Sequence, residues 1–368
     1  MTFTTTRRAA YASFIVQAIV NNLAPLLFVV FHTRLGVDVA RLGLLAGLNF
    51  LVQLLTDLAA VRVVDRVGYR APMVLAHVLA ALGLILMAIL PQLLAAPFAG
   101  LCLAAAVYAV GGGLIEVLAS PVVEHLPAEP GRSRASGMAL LHSFYCWGQL
   151  GVVVVSTALL GALGLDAWWV LPLAWALVPA VNAVLMARVP MPATVPDHER
   201  TSLRGLMGSP IFLLILLLMA AGGASELTMS QWSSFFAQQA TGVPKAVGDL
   251  LGPGLFALLM ALGRTAYGVL GRRARAVPLR GALAASGLGA VVCYVVAASS
   301  PTPAAGLLAC ALTGLCVALM WPGATSLAAA RFPAGGGAMF AVLALAGDVG
   351  AAAGPSAAGA IADAADPS

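Results

Sequence analysis

The chain has 368 residues, of which 61% are apolar and 9% charged, with a formal net charge of +5. A soluble domain carries about 25% charged residues, so this chain cannot clothe a globular surface in water, and the bilayer is its solvent. The basic residues sit in short loops between apolar runs rather than on one face, so no nucleic-acid partner is expected.

Hydropathy predicts eleven spans, near residues 10–32, 42–63, 72–92, 97–122, 136–160, 168–187, 210–238, 246–270, 279–299, 303–329 and 338–362. Each approaches the roughly 20 residues that a helix needs to cross the hydrocarbon. Backbone groups in lipid must be paired internally, and no alternating ten-residue pattern supports a barrel, so the expected class is an all-α membrane protein. Arg7 and Arg8 precede the first apolar stretch without a small-residue cleavage site, which reads as a first span rather than a signal peptide.

Taken in order, the first span carries Gln17, Asn21 and Asn22, amides suited to hydroxyl or amide groups of a polar solute, or to clamping one helix to another. Gln53 and Asp57 lie four apart on one face of the second. Gln53 is assigned to the solute and Asp57 to gating. In the following loop Asp65, Arg66 and Arg70 read as gate charges that pair in one conformation and separate in another. Span four brings Gly111-Gly112-Gly113 and then Glu116. An ionised carboxylate at membrane depth is costly, so it persists when protonated, paired or wet, and Glu116 is the principal proton-coupling candidate. On span five His142, Tyr145 and Gln149 share a face and are assigned to substrate binding.

Pro190 to Ser209 is rich in proline and charge and reads as a cytoplasmic linker, 190–209, between a six-span bundle, 1–189, and a five-span bundle, 210–368, with a twelfth span missing or truncated. Beyond it Glu226 follows Gly222-Gly223-Ala224-Ser225 and is the second proton candidate. Trp232 and Trp321 are aromatic surfaces on which a solute could stack. Arg264, near the inner end of span eight, and Asp348, in span eleven, join the gating set. The five cysteines, Cys102, Cys146, Cys293, Cys310 and Cys316, lie inside apolar segments without metal spacing and read as small packing residues.

Positive charge sets orientation. With the N-terminus inside, the outer loops hold only Arg34, Arg41 and Lys245, and the inner ones hold nearly all the other arginines. The two bundles read as copies: at an offset of 206, Leu126-Pro127-Ala128 meets Phe332-Pro333-Ala334, Gly148 meets Gly354 and His142 meets Asp348. One residue further, Asp65-Arg66 meets Arg272-Arg273.

These residues resemble the major facilitator superfamily over the whole chain. Asp65-Arg66-Val67-Gly68-Tyr69-Arg70 looks like its signature inner loop, with Gly263-Arg264 through Arg272-Arg273 as the second-half echo. The likeness is nearest to the fucose permease-like sugar–proton symporters, on Gly111-Gly112-Gly113-Leu114-Ile115-Glu116 and Asn21-Asn22, although Ala24-Pro25 stands where that branch carries a carboxylate. The resemblance implies two helical bundles and alternating access.

The expected function is secondary transport of a small solute, a sugar or related metabolite, coupled to protons, by a monomer in a bacterial-like plasma membrane and without a cofactor. Alternatives are efflux of lipophilic compounds or a transport-inactive scaffold. The chain lacks the GxxxxGKS/T phosphate loop and a nucleophile set, so an ATPase or another enzyme is not expected.

Overall fold

Among the described residues the apolar runs fold as helices, whose backbones pair internally except where a proline interrupts them. A computed structural model describes residues 1–127, 131–196, 198–241, 250–270, 278–300 and 302–365, leaving aside the side chains of 39–40, 61–63, 65, 231–241, 250, 303, 356 and 359–365. The helices are α1 (Phe3–Leu26), α2 (Phe28–Leu35), α3 (Val39–Val67), α4 (Arg70–Leu93), α5 (Pro97–Glu124), α6 (Arg134–Leu163), α7 (Val170–Arg188), α8 (Leu203–Met207), α9 (Pro210–Thr241), α10 (Leu255–Leu270), α11 (Leu279–Ser299), α12 (Pro303–Val317), α13 (Met320–Arg331) and α14 (Gly336–Ala365). No strand occurs among the described residues, and eleven helical stretches are long and apolar enough to cross a membrane, each overlapping one predicted span.

Two of the crossings are interrupted beside a proline. A proline has no N–H for the carbonyl four residues earlier. Pro25 therefore cannot pair the carbonyl of Asn21, and the first crossing is interrupted at Leu27 before resuming as α2. Pro322 likewise cannot pair the carbonyl of Ala318, and the tenth crossing divides into α12 and α13 there. Gly68, at φ +78°, supplies the left-handed residue that lets α3 turn into α4 within two residues.

Contacts divide the chain into two compact units. One comprises Met1–Pro127, Trp147–Glu199 and Gly336–Ala341; the other comprises Ala128–Cys146, Arg200–Gly335 and Val342–Ser368. The chain thus passes between the units after Pro127, within α6, after Glu199, at the start of α14 and once more within α14.

Within the first unit α5 is the axis, and its three glycines face different neighbours. A Cβ at Gly111 would meet the backbone of Ala76 and Ala80 on α4. One at Gly112 would lie 3.0 Å from Val20 of α1 and 3.3 Å from the Gln53 amide. One at Gly113 would lie 3.0 Å from the Gln53 carbonyl and 3.1 Å from Asp57 Oδ1 on α3. Backbones can approach this closely only where no side chain intervenes, which is how helices associate without a hydrophobic drive. Gly148 of α6 seats against Ile15 and Ala18 of α1 in the same way.

The second unit repeats the device. Gly354 of α14 seats against Ala224 and Thr228 of α9, Gly350 against the carbonyl of Ala220, and the carbonyl of Gly347 against Gly223. The pairs Gly148–Ala18 and Gly354–Ala224 are displaced by the same 206 residues, so the offset in the sequence is also an offset between equivalent contacts.

A Cβ at 350 would overlap the Ala220 carbonyl oxygen, whereas Gly43 has open space around it. Gly350→Ala should therefore destabilise the detergent-solubilised protein by about 1–3 kcal/mol, the usual cost of overpacking. Gly43→Ala should leave it unchanged or slightly more stable. Thermal unfolding of the two variants beside the parent checks this.

Candidate functional site

In the first unit the polar side chains of α1, α3 and α5 meet. Gln17 of α1 is buried and donates from Nε2 to Glu116 Oε2 of α5 at 2.5 Å. One turn along α1, Asn21 Oδ1 accepts from Gln53 Nε2 at 2.7 Å and from Asn49 Nδ2 at 3.3 Å, both on α3. Asn49, Gln53 and Asp57 recur every four residues and are all buried, Asp57 fully. Glu116 is only half-buried. An ionised carboxylate accepts from the amide N–H, whereas a protonated carboxyl can donate to an amide oxygen. Gln17 Oε1 has no hydrogen-bond partner among the described residues. A half-turn of that amide would present an acceptor instead of a donor, so one side chain can serve either protonation state of Glu116. Asn22, also half-buried, bonds back to the carbonyl of Ala18 on its own helix at 2.8 Å.

In the second unit the organiser is Arg264. Its Nη2 pairs with Glu226 Oε2 at 3.0 Å, with side-chain exposures of 3% and 15%. Its Nε donates at 3.0 Å to the carbonyl of Ala318, the group that Pro322 leaves without an intrahelical donor. Its Nη1 donates to Cys146 Sγ at 3.2 Å. One guanidinium thus joins α9, the break between α12 and α13, and α6. Three directed donors in a rigid fork are what arginine supplies and lysine does not. Cys146 is therefore more than the packing residue that its apolar surroundings suggest. His142 is buried one turn before it and Tyr145 is half-buried, while Gln149 falls in the stretch of α6 that belongs to the first unit.

The remaining predicted residues are more scattered. Arg70 donates from Nη1 to the carbonyl of Ala187 at 2.6 Å, closing the C-terminal end of α7. Arg66 is exposed. The Trp321 ring lies against Gly347, and Asp348 beside it is half-buried. The side chains of Asp65 and Trp232 lie outside the described residues, as do Arg272 and Arg273.

Sequence reasoning missed a buried polar knot in the first unit. Asn182 Nδ2 of α7 donates to the carbonyl of Ala9 at 3.0 Å, lies 3.2 Å from Ser13 Oγ and 2.8 Å from His77 Nε2, while His77 Nδ1 bonds the Met73 carbonyl at 2.6 Å. A donor at Nδ1 and an acceptor at Nε2 is the neutral ring. The signal was a histidine and an amide in two uncharged spans with nothing local to pair with. Asn49 was findable too, as the first member of its every-fourth-residue stripe.

Long apolar helices whose carboxylates, amides and arginine are bonded to one another across helices define a multi-pass α-helical membrane protein. The chain belongs to the major facilitator superfamily, whose family model matches residues 9–366; this is a superfamily of transporters. Among solved structures it is similar to the transporter FucP in the outward conformation, at 17% identity and a TM-score of 0.82 over 98% of this chain and 92% of that one. It is also similar to the E. coli fucose:proton symporter FucP (N162A), at 16% and 0.81 over 99% and 93%, and to the proton:xylose symporter XylE, at 13% and 0.73 over 97% and 88%. No curated protein matches it by sequence.

Removing one partner of a buried ion pair strands the other charge, at a cost of about 3–5 kcal/mol, whereas replacing both by apolar groups is often neutral. Arg264→Met should therefore lower thermal stability sharply. Arg264→Met combined with Glu226→Leu should recover most of the loss, less the contribution of the Ala318 bond. Purified variants in one detergent, unfolded side by side, measure both.

Proposed function

We propose that this protein is a proton-coupled secondary transporter of a small polar solute, working by alternating access between its two helical bundles, 1–189 and 210–368, with 190–209 as the cytoplasmic linker. The observation that carries this reading is the pair Gln17–Glu116 at 2.5 Å: a half-buried carboxylate inside a membrane span, held by an amide that can donate or accept. A carboxylate that can take up and release a proton without leaving an unpaired group behind is what proton coupling needs. The amides of Asn21, Asn49 and Gln53 continue from it and suit the hydroxyl groups of a sugar-like solute. Similarity to sugar:proton symporters supports the same substrate class. Asn22, His142, Tyr145, Gln149, Trp232 and Trp321 are further candidate solute contacts. Glu226, neutralised by Arg264, supports Glu116, and Asp57, Asp65, Arg66, Arg70, Arg264 and Asp348 form the gating set.

A thermal-shift screen of the purified protein against sugars and lipophilic compounds identifies a ligand; stabilisation by lipophilic compounds alone would move the reading to efflux. With a stabilising solute in hand, Glu116→Gln fixes the protonated form. In liposomes it should abolish uptake driven by a pH gradient while sparing solute counterflow, because exchange does not require the proton to leave. Undiminished pH-driven uptake by the variant would remove Glu116 from the coupling.

We place the protein in a plasma membrane of bacterial type, and the arginine asymmetry supports an orientation with its N-terminus in the cytoplasm. A reporter active only in the cytoplasm should be active when fused within 190–209 and silent near Pro301. The reverse pattern would invert the topology.

A further inference from the structure

We infer that Cys293 and Cys316 form a dithiol site that chelates one soft, thiophilic centre of the trivalent organoarsenical class. The two sulfurs lie 3.8 Å apart across the seam between α11 and α12, and both cysteines are free. That separation is far beyond the roughly 2.05 Å of a disulfide and places the sulfurs in van der Waals contact, where one atom can bond to both. Gly289, one turn before Cys293, leaves the space: a Cβ there would lie 2.8 Å from Cys316 Sγ. The first unit shows what otherwise occupies such a seat. Gly83, 206 residues earlier, packs against the backbone and Cβ of Tyr108, a fully buried aromatic residue. In the second unit the seat holds a thiol with a second thiol beside it.

Soft thiolate donors select soft centres. Among the described residues no group of three or more His, Cys, Asp or Glu side chains could hold a metal ion, so the ligand must need only two protein bonds. A monosubstituted trivalent arsenical meets that condition, its third bond being to carbon. Access selects the same class. Val292 and Val296 of α11 and Leu312 and Leu315 of α12 are exposed on spans that cross the membrane, and they flank the two cysteines in sequence. Cys316 is itself partly exposed beside them, so an uncharged, apolar reagent arriving from lipid is the class suited to this seam.

With phenylarsine oxide the step is C6H5AsO + 2 RSH → C6H5As(SR)2 + H2O. Two As–S bonds form, the As–O bonding is lost, both thiol protons leave with the oxygen as water, and arsenic stays trivalent. The product staples α11 to α12 through one atom.

The test uses the full chain in lipid nanodiscs with phenylarsine oxide, read by intact mass. One phenylarsenic group per chain should remain after washing with excess 2-mercaptoethanol and be removed by 2,3-dimercaptopropanol. Cys293→Ser and Cys316→Ser should each reduce retention from one group to none, while Cys102→Ser keeps it. Peptide mapping of the unsubstituted adduct, which requires no variant to fold, should recover the Cys293 and Cys316 peptides joined through one arsenic. Loss of the group to the monothiol, retention in Cys293→Ser, or an adduct mapped to other cysteines would each overturn the site.

Discussion

In hydrocarbon no water is available to complete a hydrogen bond, so every backbone carbonyl and every charge that the fold leaves open must be closed by the chain itself. The tenth crossing shows how far this constraint reaches. Pro322 deprives the Ala318 carbonyl of its donor, and Arg264 Nε closes it from another helix. The same arginine then has two nitrogens to place, and these find Glu226 and Cys146. A proline in one span thereby accounts for a charge in a second and gives a carboxylate in a third its partner. An arginine so buried cannot be traded for lysine, which lacks the fork needed to reach three helices at once.

The two units share a packing plan and differ in chemistry. The pairs Gly148–Ala18 and Gly354–Ala224 are the same contact repeated at 206 residues. The first unit nevertheless sets uncharged amides beside a carboxylate, Glu116, whereas the second concentrates a neutralised pair, Glu226–Arg264, among methionine, phenylalanine and cysteine. Duplication preserves what the backbones need in order to approach and leaves the side chains at the centre of each unit free to diverge.

Much of this was readable in the residues alone. All eleven crossings were, because a run of about 20 apolar residues can satisfy its backbone in lipid in only one way. Glu116 stood out for the same reason, as a carboxylate where charge is expensive. Partnerships were less legible. Arg264 looked like part of an inner gate because its neighbours are loop arginines, and only the helix packing brings it to Glu226, 38 residues away. Gln53 and Asp57 were seen as a pair although Asn49 completes their stripe. His77 and Asn182, 105 residues apart, show no mutual pattern at all, since two polar residues in separate helices are related by tertiary packing that no local periodicity records.

The three glycines of α5 carry a consequence for timing. Gly111, Gly112 and Gly113 fix the backbone of this helix against α4, α1 and α3 at once, and Glu116 follows within the next turn. The main chain that bears the carboxyl is clamped from several sides, so the remaining freedom lies in the torsions of its own side chain. Side-chain torsions move fewer atoms than collective motions of helices, which take microseconds to milliseconds. A carboxyl mounted in this way can rearrange without the helix that bears it, so its hydrogen bonding to Gln17 can change on a clock separate from any movement of the helices.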